Sequence, residues 1–236
     1  MSPQQSARNC RKTFVLDSSS IITISDNCLI KIFKNISERE GIDFCIPESV
    51  YAESVLRPLK INRYELNAMR IRDAVAEGYI KVVETTPGMA RRLARLEEAA
   101  AGLCTFNGEK MPLLQAGEME TLALIKEIGA DALVIDERTT RMVLEEPQNM
   151  FGFLKNRHPG GKIVLSEGRL REIREEYYDT KIFRSTELIA LAYEDGSFGS
   201  ELRTSKESLE AALYAAKYSG CAVSSDEIIA YLKMVK

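Results

Sequence analysis

Acidic residues stand at two points of the chain where predicted strands end. Asp17 follows the apolar run Phe14–Leu16, and Asp136 follows the apolar run at 132–135. Such runs predict buried strands, because a strand that is covered on both faces needs no polar alternation. Since parallel strands end at the same edge of an α/β sheet, we expect both carboxylates at that edge.

Two glutamates on predicted helices can reach the same edge. Glu53 lies on a helix that should begin near Pro47, directly after a short strand. Glu118 lies near the start of the most regular helix of the chain, on the apolar stripe of that helix. Glu120 is turned about 200° away around the same helix. Glu118 is therefore the better candidate, although the choice between the two glutamates stays open.

The chemistry of such a group follows from its charge. Carboxylates that lie close together repel one another unless protons or a cation neutralise them. Oxygen ligands without histidine or cysteine select Mg²⁺ or Mn²⁺ over zinc, and such ions can support hydrolysis of a phosphodiester. The sequence thus predicts a divalent-cation site formed by Asp17, Glu53, Glu118 and Asp136. Glu137 is adjacent to Asp136, so either residue could supply the fourth carboxylate.

Plainer interpretations exist for the same residues. Asp17 could simply cap the next helix, and Glu118 could be a first-turn acid stabilised by the helix dipole. A serine nucleophile at Ser18 is improbable, because the only histidine, His158, lies in a loop-like Arg-His-Pro-Gly-Gly segment. Four acids in order at compatible positions favour the shared site over these separate roles.

The order of the elements predicts an α/β fold with three α/β/α layers around a central parallel sheet and with helical additions. Strands are predicted at 14–16, 43–46, 79–83, 132–135, 162–165 and 181–184. Helices are predicted at 21–33, 47–55, 63–77, 89–101, 118–128, 169–176 and 186–193, and a loop at 102–112.

The domain organisation follows from these elements. We expect a flexible tail at 1–12, one α/β domain at 13–196 with insertions near 88–111 and 145–178, and a C-terminal helical pair at 197–236 that packs on the domain. In that pair, Thr204 with Glu207 and Ser224 with Glu227 fit the spacing of a capping box.

Composition excludes several classes of protein. With 32 basic and 35 acidic residues among 236 the net charge is −3, whereas a general nucleic-acid coat protein would be basic. The five cysteines are scattered without a C-x-x-C pair, which argues against a zinc ribbon and a disulfide framework. No apolar run approaches the roughly 20 residues of a membrane span. We therefore expect a cytoplasmic protein that is not bound to a membrane.

Four sequence blocks resemble the acidic blocks of PIN-domain nucleases of the archaeal and bacterial type. They are Val15-Leu16-Asp17-Ser18-Ser19, Pro47-x-x-Val50-x-x-Glu53, Gly117-Glu118-x-Glu120-x-x-Ala123 and the run from Ala130 to Arg138. The resemblance implies an Mg²⁺- or Mn²⁺-dependent endoribonuclease with four acids at the C-terminal rim of the sheet. It also implies RNA as the substrate, and an antitoxin or a second copy of the chain as candidate partners, since some family members are toxins.

The chain departs from this pattern in one motif and in length. Many family members carry Ser or Thr shortly before the fourth acid, where this chain has Val134-Ile135. The chain is also longer than a minimal member, with additions near 88–111, 145–178 and the end. These departures leave a rival hypothesis, a non-catalytic PIN-like scaffold that binds RNA or protein. A phosphatase with an aspartyl nucleophile ranks lower, because Ser19 stands where a second acid is expected. Arg138 and Arg141, just after the fourth acid, are candidate contacts for a phosphate.

Overall fold

The computed structural model describes residues 11–200 and 202–235. The strands are β1 Lys12–Leu16, β2 Ile42–Pro47, β3 Ile80–Val83, β4 Cys104–Phe106, β5 Glu109–Lys110, β6 Ala132–Val134, β7 Ile163–Leu165 and β8 Lys181–Phe183. The α-helices are α1 Ser18–Asp26, α2 Ile32–Glu40, α3 Glu48–Tyr51, α4 Glu65–Ala76, α5 Pro87–Ala101, α6 Ala116–Ile128, α7 Arg138–Glu145, α8 Met150–Arg157, α9 Glu167–Tyr177, α10 Ser185–Glu194, α11 Lys206–Tyr218 and α12 Ser225–Met234. A π-helical turn, Ala52–Leu56, continues α3.

The main sheet has five parallel strands in the order β3-β2-β1-β6-β8. The order reverses between β1 and β6, and in open α/β sheets ligands bind outside the carboxyl ends of the strands at such a point. Phe14 and Leu16 pack in one hydrophobic core, whereas Val15 between them packs in the other. The alternation along β1 shows that helices cover both faces of the sheet. The predicted three-layer α/β/α fold is confirmed.

The two predicted insertions meet in a second, smaller sheet. Strand β4 pairs antiparallel with β5 in a hairpin and with β7 on its other side. The predicted loop at 102–112 is therefore wrong. The sequence contains a signal for this hairpin, the dipeptide Asn107-Gly108. Both residues adopt positive φ angles, 52° and 88°, as a two-residue Asn-Gly turn requires.

The predicted helix at 21–33 is also wrong in one respect. The chain breaks after α1 at Cys28, whose φ angle is 59°, and α2 then begins at Ile32. Apolar spacing continues across the break because Ile24, Leu29 and Ile32 are all buried in the same core. The short helices α7 and α8 were not predicted, although α7 buries Met142, Val143 and Leu144.

The ends of the chain required smaller corrections. Residues 1–10 of the predicted tail lie outside the described residues, and Lys12 already belongs to β1. The capping box of Ser224 and Glu227 is confirmed. The predicted box at Thr204 is wrong by one residue, because Ser205 caps α11.

The C-terminal helices complete one of the two cores. The side chains of α11 and α12 that are buried with β1 and β2 are Leu209, Ala212, Leu213, Ala216, Ile228 and Leu232. Across the described part of the chain, every helix is too short or too polar to cross a membrane. The four cysteines in that part are free thiols.

Candidate active site

Asp17 lies at the carboxyl end of β1 and caps α1. Its Oδ2 accepts hydrogen bonds from the backbone nitrogen of Ser19 (3.0 Å) and from Ser19 Oγ (2.7 Å). Its Oδ1 is buried and has no hydrogen-bond partner among the described residues. Burial raises the pKa of Asp17, and the nearby charge of Glu53 raises it further. One oxygen thus serves the helix cap, and the other is available.

Two serines to which the sequence analysis gave no role in the site, Ser19 and Ser20, join the ends of β1 and β6. Ser19 Oγ accepts a hydrogen bond from the backbone nitrogen of Asp136 (3.1 Å). Ser20 Oγ donates to the carbonyl oxygen of Val134 (3.0 Å), which also accepts from the nitrogen of Asp17 (2.9 Å). These bonds fix the position of Asp17 at the point where the strand order reverses. The sequence signal that could have predicted this role is a run of hydroxyl residues directly after an acid at a strand end.

Glu53 lies on the π-helical turn after α3. Single π turns inside helices are frequent at functional sites. The Glu53 carboxylate packs against Gly117 at the start of α6, where a Cβ atom would lie only 2.9 Å from Glu53 Oε2. The side chain is 33% exposed, and among the described residues it forms one ion pair, a distant contact of 3.9 Å with Arg57. A glycine at position 117 therefore lets this carboxylate approach α6.

Glu118 is buried in the first turn of α6, with 7% exposure. Its Oε2 accepts hydrogen bonds from the backbone nitrogen of Gln115 (3.0 Å) and from Thr140 Oγ1. Burial raises the pKa of Glu118 to about 7, and the charges of Glu137 and Asp17 add to the increase, against the two hydrogen bonds.

Glu120 has a different environment from Glu118. It accepts a hydrogen bond from Thr85 Oγ1 (3.2 Å), beyond the end of β3, and it is only partly buried. The helical phase of the sequence correctly separated the buried Glu118 from the more exposed Glu120. The choice of Glu118 as a ligand is a separate matter and stays a prediction.

The adjacent acids Asp136 and Glu137 occupy different surroundings. Both oxygens of Asp136 are used by Ser185 in the first turn of α10, since Oδ1 accepts from the backbone nitrogen (2.8 Å) and Oδ2 from Oγ (2.6 Å). Glu137 caps α7 by accepting from the nitrogen of Thr140 (2.7 Å), and its charge acts on Glu118. The charge of Glu137 therefore reaches Glu118, whereas the carboxylate of Asp136 is engaged by Ser185. Which of the two acids is the fourth ligand stays a prediction. Thr140 was missed by sequence reasoning, and it contacts both glutamates.

The opposite edge of the sheet provides a contrast. Asp131 precedes β6, and its Oδ2 accepts a hydrogen bond from the nitrogen of Thr13 (2.8 Å) at the start of β1. It is exposed and lies at the other end of the strands from Asp17. The carboxyl edge is thus the one that gathers buried acids.

One comparison with known proteins decides the family. A model of the PIN-domain family matches residues 13–149, which is more than half of the chain. The chain belongs to the PIN-domain family. No curated protein and no solved structure matches it. PIN domains are generally nucleases that use divalent metals and commonly bind RNA. The family match ends before α8, so α8 to α12 lie outside it.

The acids of this PIN domain fit a divalent metal in their chemistry. Their oxygens are hard donors, and the buried Oδ1 of Asp17 lacks a partner among the described residues. In the same part of the chain, no three His, Cys, Asp or Glu side chains are grouped as a formed metal site. Asp17 is held in place by the β1–β6 junction, whereas Glu53 is partly exposed and its charge acts on Asp17. The site is thus a set of carboxylates in which the buried Oδ1 of Asp17 has no hydrogen-bond partner among the described residues.

The two predicted phosphate contacts have other partners. Arg141 forms an ion pair with Glu145 (3.1 Å) and donates to the carbonyl oxygen of Ala222. The guanidinium of Arg138 lies over the ring of Phe153, 4.9 Å from its centroid. A role for either arginine at a phosphate stays a prediction.

Proposed function

We propose that this PIN domain is an Mg²⁺- or Mn²⁺-dependent endoribonuclease that hydrolyses RNA phosphodiester bonds. The observation that carries the proposal is the buried Oδ1 of Asp17, which has no partner among the described residues and lies beside a buried Glu118. An unpaired polar atom in a protein interior costs free energy, and a ligand that completes it offsets this cost. A divalent cation is the ligand that matches a group of carboxylates.

Asp17, Glu53, Glu118 and Glu137 would hold the ion. Asp17 and Glu118 are buried and fixed by hydrogen bonds, whereas Glu53 and Glu137 are less buried and would supply the two remaining carboxylates. When bound, the ion would activate a water molecule and neutralise charge on the phosphate. Thr140 positions two of the ligands, because its hydroxyl donates to Glu118 and its backbone nitrogen to Glu137.

Glu137 replaces Asp136 in this assignment for a geometric reason. The two oxygens of Asp136 already accept short hydrogen bonds from Ser185, and freeing them would leave the first turn of α10 without its acceptor. Glu137 has one oxygen in its helix cap and one that accepts no hydrogen bond from the described residues. The fourth carboxylate is therefore Glu137 in our proposal.

RNA cleavage tests the proposal directly. The wild-type chain should cut a mixture of RNAs in Mn²⁺ and lose this activity in EDTA. Asp17→Asn should abolish cleavage, because the substituted side chain loses the charge that the ion requires. Asp131→Asn is the matched control at the opposite edge of the sheet and should cut normally. Equal cleavage by Asp17→Asn and wild type would refute the proposal.

A non-catalytic PIN-like scaffold remains the second candidate. It is favoured by one observation, the lack of a formed set of three metal ligands in the described part of the chain. A scaffold would bind RNA equally well in Mn²⁺ and in EDTA and would cut none of it. Mn²⁺ would then leave its melting temperature unchanged, since only a ligand that binds the native state raises it.

A further inference from the structure

We call the proposed ligands Asp17, Glu53, Glu118 and Glu137 the acidic rim. A cavity of about 300 Å³ opens beside it. Glu118 and Glu137 line it from the rim, and Arg157 and His158 line it from the end of α8. Carboxylates and cationic or imidazole groups therefore face one space. Arg157 and His158 lie beyond the segment 13–149 that matches the family, so this part of the lining lies outside the family match.

The small second sheet positions His158. The ring of Phe106, at the end of β4, lies 5.4 Å from the His158 ring between centroids. Gly161 makes room for Phe106, since a Cβ atom there would overlap the ring at 1.9 Å. Asn107 then holds Lys162 through two hydrogen bonds of 2.8 Å, one by its backbone nitrogen and one by its side-chain oxygen. The two insertions thus fix the segment that carries His158.

Arg157 is available to a ligand. Its side chain is exposed at the end of α8 and forms no ion pair or hydrogen bond with any residue that the structure describes. By contrast, Arg184 and Arg141 elsewhere in the fold are paired with glutamates. An unpaired guanidinium can bind a phosphate with two parallel hydrogen bonds.

The rest of the lining is largely apolar. Its apolar members are Met111, Pro112, Leu113 and Leu154. A surface of this kind suits the flat face of a nucleobase, because binding pockets are mostly apolar with a few placed polar groups. A volume of about 300 Å³ is at the small end of ligand pockets, and it suits a single nucleotide rather than a duplex.

We infer that this cavity is a subsite for one nucleotide of the RNA substrate, next to the bond that is cut. Arg157 and His158 contact the phosphate of that nucleotide, and the apolar lining contacts its base. The inference rests on the proposed function, because the acidic rim that borders the cavity is the proposed hydrolytic site. It assigns to the insertions the role of choosing the nucleotide beside the scissile phosphate.

The test measures binding and requires no catalysis. The four 5′-nucleoside monophosphates and the matching nucleosides are titrated into the full chain with Mg²⁺ and followed by calorimetry. Monophosphates should bind more tightly than nucleosides. Arg157→Ala should weaken this binding about tenfold, as expected for the loss of a charge-assisted hydrogen bond, and His158→Ala about threefold. Arg157→Lys should fall between wild type and Arg157→Ala, because it keeps the charge but loses the planar fork.

Lys155→Ala is the matched control. Lys155 is an exposed cation on the same helix, two residues before Arg157, and it does not line the cavity. It should change the affinity less than about twofold, whereas general attraction by positive charge would make both alanine variants equal. Equal losses in the two variants, or no binding of any monophosphate by wild type, would overturn the inference.

The outcome is separable from that of the nuclease assay. If monophosphates bind through Arg157 but no RNA is cut, the cavity is a nucleotide site, but the proposed hydrolysis fails and with it the placement of this site beside a cut bond. If RNA is cut and the Arg157→Ala and His158→Ala variants bind monophosphates as wild type does, the subsite is refuted and the nuclease stands. Arg157 is exposed and His158 half-buried, so both variants should fold, and their melting curves check this.

Discussion

Asp17 and Asp136 follow neighbouring strands and are almost fully buried, with 2% and 1% exposure, yet their carboxylates are used differently. Asp136 has both oxygens hydrogen-bonded to Ser185, whereas Asp17 keeps one buried oxygen without a partner among the described residues. A buried carboxylate with every oxygen satisfied contributes to the fold. One with an unsatisfied oxygen costs stability and points to a ligand.

The surroundings of Asp136 and those of Asp17 are connected but distinct. We call the residues around Asp136, namely Ser185, Cys221 and Ala222, the Asp136 clasp. The carbonyl oxygen of Asp136 accepts from the nitrogen of Ala222 (3.3 Å), and burial with the Asp136 charge raises the pKa of the Cys221 thiol to about 12. The clasp ties β6 to α10 and to the segment before α12. The acidic rim, by contrast, consists of Asp17, Glu53, Glu118 and Glu137.

The largest expected effect is a difference in RNA cleavage between variants of the adjacent acids Asp136 and Glu137. Glu137→Gln should lower the rate of RNA cleavage about 1,000-fold, because it removes a charge that holds the ion. Asp136→Asn, assayed well below its melting temperature, should stay within a few-fold of wild type. The opposite ranking would assign the fourth ligand to Asp136 and contradict the comparison.

The second effect is a dependence of stability on pH without metal. The pKa of Glu118 is about 7 in the native state against 4.5 as its ordinary value, so the native state holds this proton more tightly. The contribution of Glu118 to the free energy of unfolding should therefore be fully present below about pH 4.5 and fall by ~3 kcal/mol as the pH rises to about 7. Urea unfolding in EDTA at several pH values measures this change.

Glu118→Gln provides the control for that experiment. It should remove most of the decline and be more stable than wild type above pH 7, since the amide carries no charge to bury. Glu120→Gln, on the same helix but only partly buried, should retain the decline. A flat profile for wild type would show that Glu118 does not bury a charge.

The third effect concerns the clasp. Asp136→Ala should lower the free energy of unfolding by about 2 kcal/mol, because the buried nitrogen and hydroxyl of Ser185 lose their acceptor at the start of α10. Asp17→Ala should cost less, since it also loses two hydrogen bonds but removes a buried oxygen that has no partner among the described residues. Urea unfolding of both variants in EDTA compares them, and a larger loss for Asp17→Ala would reverse the comparison.

The smallest effect is at the link between the two regions. Ser19 Oγ donates to Asp17 and accepts from the nitrogen of Asp136, so Ser19→Ala should cost about 1 kcal/mol in stability. Ser19→Thr keeps the hydroxyl and serves as the control. An unchanged free energy of unfolding in Ser19→Ala would show that the hydroxyl does not support the junction.

Several of these residues could be found from the sequence, because the signal is local. An apolar run that ends in an acid located Asp17 at its strand end, and helical phase distinguished Glu118 from Glu120. The fold class followed from the alternation of strands and helices. For Asp17 and Glu118 the deciding pattern lies within one strand or one helix, and for the fold class it lies in the order of neighbouring elements.

The remaining features depend on residues that are distant in the sequence. Strand β6 ends at Val134, so no strand alternation fixes the directions of Asp136 and Glu137. The direction of the Asp136 side chain is set by Ser185, which lies 49 residues later in the sequence. The direction of the Glu137 side chain is set by the start of α7, a helix that was not predicted. Strands β4 and β7 likewise find each other only in the fold, although the Asn107-Gly108 turn was a local signal that was overlooked.

The most direct test of the shared acidic rim is the melting temperature as a function of Mn²⁺ concentration. Mn²⁺ should raise the melting temperature of wild type and of Asp136→Asn, because the ion binds only their native states. Asp17→Asn and Glu137→Gln should show little or no increase at the same concentrations. The same increase in all four proteins, or none in wild type, would contradict a metal site formed by the rim.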